Sequence, residues 1–183
     1  MGSETDGLAL GTRLRACEGV VDAVVTEDRV CVYFEPGAVP RDLDRALERG
    51  VGGASATPRE VIVRVSYDGP DLALVASLSG LPAEDVIRLH AAGVYVVRMV
   101  GFLPGFAYLG GLEPRLVVAR RSVPRPRVDA GSVAIAADYT AVYPFASPGG
   151  WNVIGHAQGA EMFRSDTGAL LRLGDRVRFE RVG

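Results

Sequence analysis

The hydrophobic and polar positions follow two different patterns along the chain, and the change between them falls near residue 58. Before that point, apolar residues recur at helical spacing in residues 8–18 and 40–49, and they alternate with polar ones in residues 23–26 and 29–34. Spacings of three and four residues are typical of a helix packed on one face, whereas alternation is typical of a half-buried strand. The pattern predicts a small unit of two helices and two strands.

A strand and two short helices are predicted directly after this unit. Residues 61–67 alternate as a strand, and residues 71–79 and 82–92 have helical periodicity. The second helix has a proline and two acidic residues in its first turn, where a missing N–H is tolerated and negative charge complements the helix dipole.

The rest of the chain consists of short, β-rich apolar runs separated by glycine and proline turns. Many short strands at such spacing are typical of a closed barrel. The predicted strands are residues 95–100, 117–119, 132–136, 141–143, 151–154 and 176–180.

Small and flexible residues at positions 50–58 separate the two patterns and are typical of a linker. The length of 183 residues allows two small domains. We therefore expect an α+β protein in which residues 1–58 form a small α/β domain and residues 59–183 form a β-barrel domain.

The charged residues are nearly balanced, with 20 basic and 22 acidic side chains and a net charge of −2. So small a net charge produces no overall field that would attract nucleic acid or an anionic membrane. All 20 basic residues are arginine, which excludes a Schiff-base lysine, a lysine general base and the lysine-containing phosphate loop. Any anion site must therefore be local and built from arginine.

Features of membrane, secreted and metal-binding proteins are absent from the sequence. The first six residues are polar and acidic, unlike a signal peptide, and the uncharged stretch 139–160 contains four glycines and two prolines. The two histidines and two cysteines have no metal-ligand spacing. We expect a cytoplasmic protein with no membrane partner and no metal site.

Residues 101–111 form the first segment that could carry chemistry, because they combine four glycines and a proline with three aromatic residues. Glycine allows close backbone approach to a ligand, and aromatic rings supply rigid apolar walls. The same composition also suits a glycine-bent corner of the barrel with its rings in the core. Composition leaves these two interpretations open.

Residues 113–129 form the second segment, with five arginines against two acidic residues. Arginine pairs bidentately with carboxylate or phosphate, so this segment could be an anion-binding edge. It could equally be a solvated strand face on which prolines protect an edge, and without a family that interpretation is favoured.

Residues 143–155 form the third segment, in which Gly149 and Gly150 lead directly into Trp151, the one tryptophan of the chain. Such a loop can present backbone N–H groups beside an aromatic platform, or it can be a tight turn into a core strand.

Ser147 lacks the GxSxG pattern of a serine nucleophile. His90 falls at a helix C-terminus, where the dipole favours its charged form and where it could simply cap the helix.

Several long motifs in the same order resemble one family, whose members are known as allophanate hydrolase subunit 1, the B subunit of 5-oxoprolinase, and KipI. The match is close over roughly residues 61–155, with a weaker return at residues 173–179. The motifs are Val86–His90, Gly101–Gly111, Arg120–Arg125, Ala130–Ala136 and Tyr143–Gly155.

The resemblance implies a small ferredoxin-like α/β domain followed by a cyclophilin-like β-barrel. The family's first domain opens with a longer strand where this chain has only Gly7–Gly11, so that strand is expected to be absent or displaced.

The resemblance also implies a subunit that is inactive alone. Its expected partners are a homologous large subunit, named allophanate hydrolase subunit 2 or the C subunit of 5-oxoprolinase, and a separate third subunit.

The implied reaction is the ATP-dependent opening of the lactam 5-oxoproline to glutamate, a hydrolysis of a small amide substrate. ATP, with Mg²⁺, is expected at the level of the complex. Two alternatives remain open in the family: a KipI-like inhibitor of a histidine kinase, and a subunit of a urea carboxylase or allophanate-type complex.

The expected active site lies at the mouth of the barrel and faces the partner subunit. His90 is the candidate general base, and Arg121 and Ser147 are the other candidate catalytic residues. The candidate substrate- or ATP-binding residues are Phe102, Pro104, Gly105, Tyr108, Arg125, Tyr143, Gly149, Gly150 and Trp151.

Overall fold

A computed structural model of the chain describes residues 5–25, 30–38, 42–48 and 58–183. The chain divides into two compact units, Met1–Pro58 and Arg59–Gly183. The predicted linker at residues 50–58 lies outside the described residues except for its last residue.

The first unit contains a helix, a strand pair and a second helix. Helix α1 spans Thr5–Arg15, strands β1 and β2 span Val20–Val25 and Val30–Phe34, and helix α2 spans Leu43–Glu48. The two strands are antiparallel. Their apolar contacts with the helices centre on three buried side chains, those of Leu14, Ala23 and Ala46.

The segment expected to hold a displaced first strand, residues 7–11, lies inside α1. A ferredoxin-like fold has the order β-α-β-β-α-β, and the described part of this unit has the inner order α-β-β-α. The ferredoxin-like fold of this unit therefore stays a prediction.

The second unit is built around a closed barrel of seven strands. The barrel strands are β3 (Glu60–Ser66), β4 (Val94–Val100), β5 (Ala107–Gly110), β7 (Ser132–Ala136), β8 (Tyr139–Val142), β10 (Asn152–Gln158) and β13 (Arg176–Arg181). Outside the barrel lie two strand pairs, formed by β6 (Arg125–Val128) with β9 (Ser147–Gly149) and by β11 (Phe163–Arg164) with β12 (Gly168–Ala169).

The strand order around the barrel is β10-β3-β13-β4-β5-β8-β7. Strands β13 and β3 are parallel, and the other neighbours are antiparallel. Fully buried aliphatic and aromatic side chains fill the core, among them Val63, Tyr95, Leu109, Ile135 and Phe179. Alternation along β3 and β13 supplies part of this core, because successive side chains point to opposite faces of a sheet, whereas β7 is buried on both faces.

Two helices, α3 (Leu72–Ser79) and α4 (Ala83–Ala92), follow β3 and pack on the barrel. Helix α3 ends at Gly80, which adopts the left-handed conformation with φ 67° and bonds back to the last turn. Of the helices that the structure describes, none has the length and apolar character needed to cross a bilayer.

One sequence expectation about elements was wrong. Residues 117–119 form no strand; a short 3-10 helix, Pro114–Leu116, precedes them, and only Val118 makes an isolated bridge, to Ala137. Among the described residues, this run of three apolar residues is joined to the sheet by one backbone hydrogen bond, from the Ala137 N–H to the Val118 carbonyl at 2.8 Å, and so forms no ladder. The glycine-rich segments contain strands β5 and β9, which the sequence pattern did not predict.

Candidate functional site

An aromatic pocket of about 240 Å³ lies on the barrel unit, where the loop after β4 meets the loop before β10. Its walls are mostly apolar, with glycine backbone and one cationic side chain at the edge. The lining residues are Phe102, Phe106, Tyr108, Arg120, Pro124, Tyr143, Pro148, Gly149, Gly150 and Trp151.

Phe106 holds the walls of the pocket together. Its buried ring makes edge-to-face contacts with four other rings, at centroid distances of 5.4 Å to Phe102, 5.0 Å to Tyr108, 5.3 Å to Tyr143 and 5.6 Å to Trp151. Such contacts stabilise a fixed arrangement of rings beyond the burial of their area. The pocket is therefore a preformed aromatic cup.

Phe102 is the most exposed ring of the cup and stands at its rim. Its side chain is 61% exposed, and its φ of 75° is in the left-handed region that residues other than glycine rarely adopt. The backbone strain is tolerated where the neighbouring turn fixes the chain, and strained residues of this kind cluster at ligand sites.

Gly149 allows the chain to pass directly over Tyr143. A Cβ atom at position 149 would lie 2.4 Å from the Tyr143 hydroxyl oxygen, closer than real atoms approach. Burial raises the pKa of the Tyr143 hydroxyl, although a hydrogen bond from the Trp151 backbone N–H opposes the rise. Tyr143 thus remains a neutral phenol that anchors the start of the Trp151 strand.

Arg120 is the one charged residue among those that line the pocket. Its guanidinium carbon lies 5.8 Å from the centroid of the Trp151 ring, a cation–π arrangement. In the described part of the chain no carboxylate pairs with Arg120, so its guanidinium is available to a ligand in the pocket.

Arg121 and Arg125, the two arginines selected from the sequence, point to a buried carboxylate instead of lining the pocket. Arg121 Nη1 donates to Asp71 Oδ1 at 2.8 Å, and Arg125 donates to both carboxylate oxygens at 2.7 Å. The Val153 backbone N–H also donates to Asp71 Oδ2, at 2.8 Å. Asp71 is only 2% exposed.

Burial alone would raise the pKa of Asp71, because it disfavours the charged form. The hydrogen bonds from Arg125 and Val153, together with the charges of both arginines, outweigh burial and hold the pKa below its usual value. Sequence analysis missed this residue because an aspartate just before a helix is typical of an ordinary N-cap. The arginines, 50 and 54 positions away, gave no local signal.

His90 lies in the barrel core and not at the pocket. It is fully buried and stacks on Phe179, with ring centroids 4.6 Å apart. Burial lowers its pKa from 6.5 to about 3, so the expectation that the helix dipole favours the charged form was wrong. Desolvation of a fully buried imidazolium outweighs the weak field of a helix end. A group so placed cannot reach a substrate, and we do not retain it as a base.

The remaining sequence candidates divide between the pocket and its surroundings. Phe102, Tyr108, Tyr143, Gly149, Gly150 and Trp151 line the pocket together. Pro104, Gly105 and Ser147 are not among the lining residues. Gly105 instead packs on Met162, since a Cβ there would lie 2.8 Å from the Met162 carbonyl oxygen. Ser147 lies on β9, and its buried Oγ has no hydrogen-bond partner among the described residues.

The pocket's volume of about 240 Å³ suits a small ring, and Arg120 is the one cation among its lining residues. In the part of the chain that the structure describes, no group of three or more His, Cys, Asp or Glu side chains could hold a metal ion.

Comparison with known proteins identifies the family. The model of the carboxyltransferase domain, subdomain C and D, matches residues 3–170. The B subunit of 5-oxoprolinase from Bacillus subtilis (strain 168) is 43% identical over 150 residues, which are 79% of this chain and 62% of the relative. The B subunit of 5-oxoprolinase from Escherichia coli O157:H7 is 40% identical over 179 residues, which are 93% of this chain and 82% of the relative.

Two solved structures share the fold. The crystal structure of TTHA0988 has a TM-score of 0.83 and 39% identity, and the match covers 98% of this chain but 37% of that one. The urea carboxylase of Kluyveromyces lactis has a TM-score of 0.76 at 16% identity, over 98% of this chain and 19% of that one, which shows the fold alone. This chain thus spans only part of the length of several longer relatives.

Proposed function

The chain belongs to the family of carboxyltransferase domains, subdomain C and D, and on this basis we propose that it is the small, B-type subunit of an ATP-dependent 5-oxoprolinase. The observation that carries the proposal is the pocket: aromatic walls around a space for one small ring, with Arg120 at the edge and no carboxylate paired with it among the described residues. 5-Oxoproline is a five-membered lactam that carries one carboxylate. The aromatic walls match its ring, and Arg120 matches its carboxylate.

In the proposed complex this chain binds and orients the lactam. The ring lies against Trp151 and Phe106, whose contacts with the other rings fix the walls. Arg120 pairs with the carboxylate through charge-assisted hydrogen bonds, which fixes the ring in one orientation. Urea has no carboxylate, so this arrangement favours the lactam over a urea-type substrate.

ATP and Mg²⁺ belong, in this proposal, to the rest of the complex, because the pocket has space for one small ring and one cation among its lining residues. The further subunits are a homologous large subunit and a separate third protein, and this chain alone is inactive. We also propose that the complex is cytoplasmic, that the first unit is ferredoxin-like, and that the barrel is cyclophilin-like.

The test is to co-express the chain with the large subunit, add the third component, and measure glutamate released from 5-oxoproline. We expect release that requires both this chain and ATP. Arg120→Gln should raise KM for 5-oxoproline roughly 10- to 100-fold, since one charge-assisted hydrogen bond contributes about 1.5–3 kcal/mol.

Arg127→Gln is the matched control. Arg127 is an exposed arginine of the same segment, paired with Asp129 at 2.9 Å, and it does not line the pocket. An unchanged KM in Arg120→Gln would refute the assigned role of Arg120. A stable complex without glutamate release would refute the substrate, and failure to bind the large subunit would favour a KipI-like regulator of a histidine kinase.

A further inference from the structure

Asp71 does not line the pocket, but its hydrogen-bond partners lie close in sequence to residues that do. Two lining residues, Arg120 and Pro124, directly precede its partners Arg121 and Arg125, and a third, Trp151, lies two residues before its partner Val153. It is the residue that precedes α3, and its side chain accepts four hydrogen bonds, from three partners. Four donors are what an ionised carboxylate can accept with its two oxygens.

Two of these partners hold one wall of the pocket. Arg121 directly follows Arg120, and Arg125 directly follows Pro124. The Arg121 backbone N–H also donates to the Gly150 carbonyl at 2.8 Å, which joins this wall to the glycine loop. The segment between these arginines has no helix and only the first residue of strand β6, so the side-chain contacts with Asp71 add to the few backbone contacts that hold it.

The third partner holds the opposite wall. Asp71 accepts from the Val153 N–H and its own N–H donates to the Val153 carbonyl, at 2.8 and 2.9 Å. Val153 lies two residues after Trp151 at the start of β10. The same carboxylate therefore ties the Arg120 segment and strand β10, which begins just after Trp151, to one point.

We propose that Asp71 is a positioning residue, which sets the Arg120 guanidinium against the Trp151 ring and thereby the carboxylate-binding geometry of the pocket. The identity of the bound carboxylate rests on the proposed function. The positioning of Arg120 by Asp71 does not depend on it. A neutral amide cannot replace Asp71, because its nitrogen is a donor and would face arginine donors. Misplacing a binding group by about 1 Å lowers catalytic efficiency by as much as roughly 100-fold.

The chain offers a matched control in Asp175, which is the other buried carboxylate paired with arginine among the described residues. Asp175 is 4% exposed, and it accepts from the Arg59 side chain, from the Arg59 N–H at 3.2 Å and from the Arg172 N–H at 2.9 Å. None of these residues lines the pocket. Asp71→Asn and Asp175→Asn thus remove the same kind of charge at two places in one barrel.

The first measurement needs no substrate. Trp151 is the single tryptophan of the chain and is 5% exposed, so its emission and its quenching by acrylamide report on this wall alone. We expect Asp71→Asn to shift the emission to longer wavelength and to increase quenching severalfold, while Asp175→Asn stays like the wild type under conditions where both are folded. Equal spectra for the two variants would overturn the inference.

The second measurement is the KM for 5-oxoproline in the reconstituted complex. Asp71→Asn should raise KM at least tenfold with a smaller change in kcat, and Asp175→Asn should leave KM unchanged. A rise of KM in both variants would mean loss of stability and not positioning. If the wild-type complex releases no glutamate, the proposed function fails, and the fluorescence result still decides the role of Asp71.

Arg121→Gln tests the same inference if Asp71→Asn does not fold. It removes one hydrogen bond to Asp71 and keeps the paired contact of Arg125. We expect an intermediate increase in Trp151 quenching, and quenching identical to the wild type would contradict the inference.

Discussion

Arg120, Arg121 and Arg125 carry the same charge in one short segment, yet they have different roles. The local surplus of positive charge is evident from the sequence, but Asp71 binds two of the three arginines and leaves Arg120 at the pocket. A buried carboxylate without partners would be strongly destabilising, so Arg121 and Arg125 are both needed to pair with Asp71. Arg120 is therefore the arginine that remains available to a ligand.

Gly149 provides a direct test of the pocket at the scale of one residue. We expect Gly149→Ala to lower the free energy of unfolding by about 1–3 kcal/mol, because the new methyl group overlaps the hydroxyl and ring carbons of Tyr143, which is 1% exposed and must shift to make room. Urea unfolding followed by Trp151 emission measures this change.

The neighbouring Gly150 is the control for Gly149. A Cβ at position 150 would find its nearest atom 3.7 Å away, which is ordinary contact. Gly150→Ala should change the free energy of unfolding by less than about 0.5 kcal/mol. Equal effects of the two alanines would show that loop flexibility, and not the contact with Tyr143, determines the result.

At the scale of elements, His90 joins α4 to the barrel strands. Its Nε2 lies 2.9 Å from Thr140 Oγ1, and its Nδ1 lies 2.8 Å from the Tyr67 hydroxyl. The Thr140 hydroxyl donates its proton to the Ala134 carbonyl at 3.1 Å, so it can only accept from His90. In the neutral ring Nε2 therefore carries the proton, and Nδ1 accepts from the Tyr67 hydroxyl. The chain of hydrogen bonds requires a neutral histidine.

This arrangement predicts a pH-dependent stability. The unfolded chain binds a proton at His90 near pH 6.5, whereas the folded chain binds it only near pH 3. Below pH 6.5 the unfolded state holds more protons, so the free energy of unfolding falls as the pH is lowered. The contribution of this residue approaches about 1.4 kcal/mol per pH unit.

His90→Gln provides the comparison, because glutamine does not titrate in this range. We expect the variant to be less stable than the wild type at pH 7 and to have a shallower dependence between pH 6 and 4, measured by urea unfolding. Parallel pH profiles would mean that other groups cause the loss of stability in acid.

At the scale of the whole molecule, the barrel unit has its own closed sheet and core. The buried residues of the main core all lie between residues 63 and 179, and so does the pocket. We therefore expect a fragment of residues 59–183 to fold, with the urea midpoint and the Trp151 emission of the full chain. A broad, non-cooperative transition in the fragment would contradict this expectation.

The sequence by itself determined most strands of the barrel and many of the residues around its pocket. Short runs rich in valine and isoleucine between glycine and proline turns marked the strands at 95–100 and 132–136, because β-branched side chains favour extended backbone and turn residues bound it. The glycine and aromatic motifs indicated Phe102, Tyr108, Gly149 and Trp151, since such residues are informative without knowledge of their neighbours.

The tertiary structure alone decided which charged and polar groups remain available. Whether His90 titrates near neutral pH, or which arginine faces the pocket, depends on burial and on partners about 50 residues away in sequence. Desolvation and charge pairing act over a few ångströms in space, and local sequence patterns carry no information about them. For this reason composition located the arginine-rich segment, and only the folded chain separated Arg120 from Arg121 and Arg125.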